Sequence, residues 1–177
     1  MPGTVADVAV TDVLPTERGL MGRLLQLYLH DFSEFAQPGA LWGEVDADGF
    51  FAYAPPLDAY WTDRDRLPLL IRADGKVAGF VLLNRWSALD LPLDRAVAEF
   101  FVLRKYRRAR VGTRAAHVVF RRFPGHWEVP IAGYNKAALH FWRTAVAALP
   151  LVPSREQAGD GQRWFGTVLV FKVASGS

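Results

Sequence analysis

Residues 98–116 read AEFFVLRKYRRARVGTRAA, and this stretch decides the fold. An apolar strand runs into a cluster of arginines, then a glycine, then a segment of helical periodicity. A strand feeding a helix through a short basic turn is a layered unit, with the helix lying back on a sheet. Backbone N–H groups and positive charge meet at the helix N-terminus, where a phosphate binds well.

Working outward, the spacing predicts a strand over 95–103 and a helix over 110–123. Val111, Ala115, Val118 and Val119 share one face of that helix, and Pro124-Gly125 stops it. A strand over 126–133 follows. Then comes a helix over 135–148, with Ala138, Phe141, Trp142, Ala145 and Val146 on its buried face. At least one further strand, 163–173, closes the chain. Upstream, 67–73 and 76–85 are apolar runs around Asp74-Gly75, a strong hairpin signal. A first strand falls over 8–13. Pro15 opens a helix reaching about Ala36, whose apolar face runs through Leu20, Leu24, Leu27/Tyr28, Asp31 and Phe35. Residues 37–66 are irregular and aromatic, with a short helix near 57–62. The order β-α-(α)-β-β-β-α-β-α-β-β implies an α/β fold, a mixed sheet with helices on both faces.

The 177 residues fit a single domain, 1–177, with a real core: 51% are hydrophobic and 22% charged. There is no cysteine, so disulfides and thiolate metal sites are excluded. The histidines His30, His117, His126 and His140 show no metal spacing, and no metal is expected. Asp46-Ala47-Asp48-Gly49 lacks the later ligands of a calcium loop. No apolar run approaches the roughly 18 residues of a spanning helix, and the N-terminus lacks a basic leader region. The expectation is a soluble cytoplasmic protein without a membrane partner. Charge is asymmetric. Residues 1–65 hold eleven acids against three arginines, a balance of −8, leaving +11 for the rest. Six bases crowd between Arg104 and Arg114. The split predicts surfaces facing partners of opposite sign.

The element order and the basic turn resemble the GNAT superfamily of acetyl-CoA-dependent N-acetyltransferases. Its phosphate loop, Gln/Arg-x-x-Gly-x-Gly/Ala, is matched by Arg107, Arg108, Ala109, Arg110, Val111 and Gly112, with Arg110 in place of the first glycine. Asn135-Lys136-Ala137-Ala138-Leu139-His140-Phe141-Trp142 resembles the family's Asn-x-x-Ala-x-x-Phe-Tyr at the expected distance. The resemblance implies the acyl-CoA N-acyltransferase fold, a mostly antiparallel sheet whose fourth and fifth strands splay. It also implies acetyl-CoA as cosubstrate, held by Arg107 through Thr113 and by Asn135, Ala138 and Phe141. The main chain of Phe101, Val102 and Leu103 would bond the pantetheine amides as an added strand does.

The implied reaction is direct attack of an amine on the thioester in a ternary complex. A backbone N–H near a fourth-strand bulge, Val102, would stabilise the oxyanion. Glu99, alone in an apolar strand, is the candidate general base, since burial raises a carboxyl pKa. Alternation places Glu99, Phe101 and Leu103 on one face and Ala98, Phe100 and Val102 on the other. The family's acid tyrosine falls at Trp142, whose indole cannot supply a proton; Tyr134 is a neighbouring hydroxyl. Tyr28, Asp31, Tyr60 and Trp61 are candidate acceptor-binding residues, suited to a small cationic amine. The alternatives are a non-catalytic acyl-CoA sensor of the same fold and a basic nucleic-acid-binding module. No nucleic-acid motif is present, so a nucleic-acid partner is not expected. Relatives of this family often dimerise, and a homodimer is compatible with the resemblance.

Overall fold

The computed structural model describes residues 7–107, 109–149 and 152–175. The strands are β1 (Val8–Asp12), β2 (Leu67–Ala73), β3 (Lys76–Asn84), β4 (Arg95–Val102), β5 (Gly125–Ala132), β6 (Ser154–Ala158) and β7 (Gly166–Val173). They form one sheet in the order β1-β2-β3-β4-β5-β7-β6. Every neighbouring pair is antiparallel except β4 with β5. The α-helices are α1 (Arg18–Phe32), α2 (Ala59–Thr62), α3 (Val111–Arg122) and α4 (Lys136–Ala147). The order of elements is that expected from the sequence, and β6 completes the C-terminal hairpin.

Each face of the sheet carries its own core. On one, Val111, Ala115 and Val119 of α3 and Trp142, Ala145 and Val146 of α4 pack on Leu69, Ile71 and Val129. On the other, Met21, Leu24 and Leu25 of α1 and Tyr60 of α2 pack on Leu70, Phe80 and Phe101. Burial on both faces explains why β2 and β3 read as continuous apolar runs rather than alternating ones. Their connection has positive φ at both Asp74 (49°) and Gly75 (75°), matching the right-handed twist of a tight hairpin.

Two details of α1 differ from the sequence reading. The α-helix stops at Phe32 and tightens into a 3₁₀ turn over Ser33–Phe35, where the Ser33 hydroxyl bonds back to the His30 carbonyl. Its buried stripe is Met21, Leu24 and Leu25 running into Tyr28, while Leu27 is 51% exposed. The rotation turns Asp31 away from the apolar face and towards Arg104 and Arg107, ahead of α3.

The centre of the sheet is opened by two local features. β4 carries a bulge: Leu82 pairs with Glu99 and Leu83 with Val97, leaving Ala98 as the extra residue. Consequently Ala98 packs on the α1 side with Phe101, rather than with Phe100 and Val102 as strict alternation predicts. β5 carries Pro130, which pairs with Val168 of β7 on one edge and has no N–H for the other. β4 and β5 pair at Arg95–Trp127 and Ala96–Glu128 and then part.

Candidate active site

The parting strands leave a cleft of ≈ 600 Å³, reaching from Val97–Phe100 and Val129–Ala132 to α1, Tyr53, Trp86 and Tyr134. Glu99 projects into it from β4 just beyond the bulge. Its Oε2 accepts the hydroxyl of Tyr28 on α1, and its Oε1 accepts that of Tyr53 at 3.3 Å. Burial pushes the Glu99 carboxyl up to about 7, the two hydroxyl donors opposing part of the rise. Burial and the Glu99 charge in turn hold Tyr28 and Tyr53 well above the ordinary tyrosine range, so both stay protonated donors.

The main chain of β4 beyond Glu99 divides between two sides. The Leu103 N–H donates to the Ala78 carbonyl at 2.8 Å, so Leu103 and Phe101 address β3. Val102 and Phe100 turn the other way, into the gap. The Val102 carbonyl accepts Arg107 Nε at 2.7 Å, and the bulge expected beside Val102 lies instead at Ala98, so that Phe100 rather than Val102 lines the cleft. The sequence-predicted trio of Phe101, Val102 and Leu103 is thus shared between two edges.

The turn into α3 presents backbone N–H groups and an arginine. Arg110 caps the helix in the left-handed region (φ 58°). The first intrahelical bond runs from Arg114 N–H to the Arg110 carbonyl at 3.1 Å, so the N–H groups of Val111, Gly112 and Thr113 precede it. A side chain at Gly112 would meet the Phe141 ring at 3.2 Å and Val102 at 3.6 Å. The glycine therefore lets α3, α4 and β4 converge, and it brings the two sequence motifs into contact. Ala109 lies in the turn beside Arg110. Arg108 lies outside the described residues. Not all the charge points outward: Arg104 and Arg107 bond the Asp31 carboxylate at 2.7 and 2.5 Å. The two arginines hold that carboxyl below the usual range, against the opposing effect of its partial burial.

Asn135 caps α4, its side chain accepting the Ala138 N–H at 3.0 Å. Asn135, Ala138 and Trp142 line the inner wall of the cleft, and Phe141 packs on Phe100 with ring centroids 5.6 Å apart. Trp142 is buried core, edge-on to Phe100 at 5.0 Å. Tyr134, half exposed, also lines the cleft, its hydroxyl held above the ordinary range by burial and the Glu99 charge.

Of the sequence-predicted acceptor residues, Tyr28 and Tyr60 line this cleft. Asp31 is spent on Arg104 and Arg107. Trp61 lines a separate hollow beside Asp63 and Arg64, with Arg18 over its ring at 5.0 Å. Tyr53, the second donor to Glu99, belongs to the aromatic stretch 37–66 on the expected acceptor side, where nothing in the sequence gives its direction. Glu128 of β5, 1% exposed, was missed. It accepts Ser87 Oγ at 2.7 Å and the Ala88 N–H at 2.8 Å, pinning the β3–β4 loop over the point where β4 and β5 part. Among the described residues no helix is long and apolar enough to cross a membrane.

A mixed sheet opened between β4 and β5, with a buried carboxylate beside the gap and a helix starting next to it, is the architecture of an acyl-CoA N-acyltransferase. A family model described as "Acetyltransferase (GNAT) family" matches residues 21–145, and the chain belongs to that family. No curated protein matches the chain. Among solved structures, an acetyltransferase from Thermus thermophilus aligns with TM-score 0.59 at 14% identity, covering 94% of this chain and 96% of that one. The PaiA N-acetyltransferase from Thermoplasma acidophilum, in complex with coenzyme A, aligns with TM-score 0.57 at 10% identity (95% and 99%). The ribosomal-protein-S18-alanine N-acetyltransferase of Escherichia coli aligns with TM-score 0.51 at 10% identity (97% and 96%). At these identities the likeness is one of fold.

Proposed function

We propose that the protein transfers an acetyl group from acetyl-CoA to the primary amine of a small molecule, by direct attack in a ternary complex. The observation that carries this reading is Glu99, a carboxyl raised to about 7 where the strands part. A base poised near neutral pH suits removal of an ammonium proton.

The residues fit coenzyme A. The open N–H groups of Val111, Gly112 and Thr113 suit a pyrophosphate, and Arg110 adds charge at the same turn. The gap-facing edge of β4, at Phe100 and Val102, suits the pantetheine amides. Arg107 acts here by holding the Val102 carbonyl and Asp31, not by pointing at phosphate. Acetyl-CoA, when bound, supplies the activated acetyl thioester. Glu99 takes the amine proton, directly or through a water, while the gap-facing N–H of Phe100, next to Glu99 in the cleft wall, stabilises charge developing on the acetyl oxygen. The C–N bond forms and the C–S bond breaks. Tyr28 and Tyr53 are committed to Glu99, Trp142 has no proton to give and the Tyr60 hydroxyl is buried beside Arg66, so Tyr134, half exposed in the cleft wall, is the hydroxyl assigned to return a proton to the departing thiolate.

Thiol release across a panel of amines tests this, with mass spectrometry of the product. Amine-dependent release and an added acetyl group are expected. Glu99→Gln should lower kcat while acetyl-CoA affinity, read by calorimetry, stays near the parent value. Coenzyme A binding with no amine giving release would instead favour the sensor reading.

A further inference from the structure

The acidic first third of the chain barely enters the cleft. Asp31, Glu34, Asp46, Asp48 and Asp58 are not among its lining residues; Trp42, Tyr53, Tyr60, Trp86, Tyr134 and Trp164 are. The charged residues among the lining are Glu99 and Arg66. A polyamine or aminoglycoside would bring several ammonium groups to one carboxylate that must itself accept a proton. Its second ammonium would meet Arg66. The wall instead suits a flat apolar body.

Arg66 is the second charged residue of the wall. Its Nε is held by Asp63 Oδ2 at 3.2 Å, and its guanidinium lies 5.4 Å from the Tyr60 ring centroid. That bond orients the side chain and leaves the terminal fork of nitrogens outside it, the geometry that receives a carboxylate. Tyr60, 3% exposed, has its buried hydroxyl beside Tyr53 and Arg66, and its proton meets no acceptor in hydrogen-bonding geometry among the described residues. A buried donor left unspent beside a cation points to an acceptor group arriving with the ligand. Tyr53 touches Glu99, while Tyr60 touches Arg66. The two charges thus stand at opposite ends of a tyrosine pair.

Resting on the acetyl-transfer reading above, we propose that the acceptor is an aralkyl primary amine, an aromatic ring bearing its amino group on a short alkyl arm, with one carboxylate remote from that amino group. The amine faces Glu99, the ring lies against the tryptophans and tyrosines, and the carboxylate is met by Arg66 with Tyr60.

The test compares 4-(2-aminoethyl)benzoate with its methyl ester, phenethylamine and spermidine. Binding to the protein saturated with coenzyme A is read first, by quenching of tryptophan fluorescence. The acid should bind at least tenfold more tightly than its ester, and spermidine weakest. In Arg66→Gln the acid should fall to the ester's level; Arg66→Lys, which keeps the charge, should retain most of the difference. In turnover the same difference should appear in KM rather than kcat. Equal binding of acid and ester by the parent protein, or a preference for spermidine, would overturn the proposal even where acetyl transfer is observed. Selective binding of the acid with no thiol release from any amine would support the site and overturn the reaction instead.

Discussion

At the scale of single residues, Glu99 fixes two opposed pH dependences. As a base it works ionised, so kcat/KM should rise with pH through about 7 and level off above it. Folding runs the other way. The folded chain holds a proton on Glu99 that the unfolded chain releases near 4.5, so stability is highest below that value and falls as pH rises to about 7. The ionised carboxyl then costs up to about 3 kcal/mol. Glu99→Gln should therefore melt above the parent at pH 8 and close to it at pH 4.5, measured by thermal unfolding at both. Tyr28→Phe removes a donor that favours the charged carboxylate. The acidic limb of the pH–rate profile should move upward in that variant, with Tyr53 left as the remaining donor.

At the scale of elements, neighbouring positions at the start of α3 should respond oppositely. Arg110 holds a left-handed conformation that costs a side-chain-bearing residue about 1 kcal/mol and glycine nothing. Arg110→Gly should raise the urea midpoint while weakening acetyl-CoA binding through lost charge. Gly112 has ordinary helical geometry but no room: an added methyl meets Phe141 at 3.2 Å. Gly112→Ala should cost about 1–2 kcal/mol in the same unfolding assay as α3 and α4 are forced apart. These two positions also mark what sequence can carry. Strand and helix order, the hairpin at Asp74-Gly75 and the loop into α3 were legible because period and turn chemistry are local. The departure of Arg110 from glycine was visible too, but its left-handed backbone was not. The bulge at Ala98, the split of the β4 main chain between two edges and the aim of Tyr53 all depend on partners far along the chain. Pro130 was a readable sign that β5 separates from its neighbour, and it went unread because nothing in sequence says which edge of a strand a proline faces.

At the scale of the whole molecule, the charge asymmetry has an internal use. The acids of the first third pair with bases of the remainder: Asp12 with Arg122, Glu17 with Arg72, Asp65 with Arg85, and Asp31 with Arg104 and Arg107. Part of what composition suggested as two surfaces for two partners is thus a set of cross-links between α1, its flanking loops and the rest of the chain. The more exposed of these pairs, Asp12 with Arg122 and Asp65 with Arg85, contribute little to stability, about 0–1 kcal/mol each. The larger consequence of the set is on the field. Asp31 offsets positive charge beside the turn where an anionic cosubstrate is proposed to bind. Asp31→Asn should thus lower the melting temperature only slightly while tightening acetyl-CoA binding at low ionic strength. Because the effect acts through partly exposed charges, it should fade as salt shortens the Debye length towards 8 Å at about 0.15 M and beyond. Calorimetric titration of parent and variant across a salt series measures both the sign and the decay. A variant that binds acetyl-CoA more weakly at every salt concentration would mean that Asp31 serves chiefly to hold Arg107 against the Val102 carbonyl, not to temper the charge of the loop.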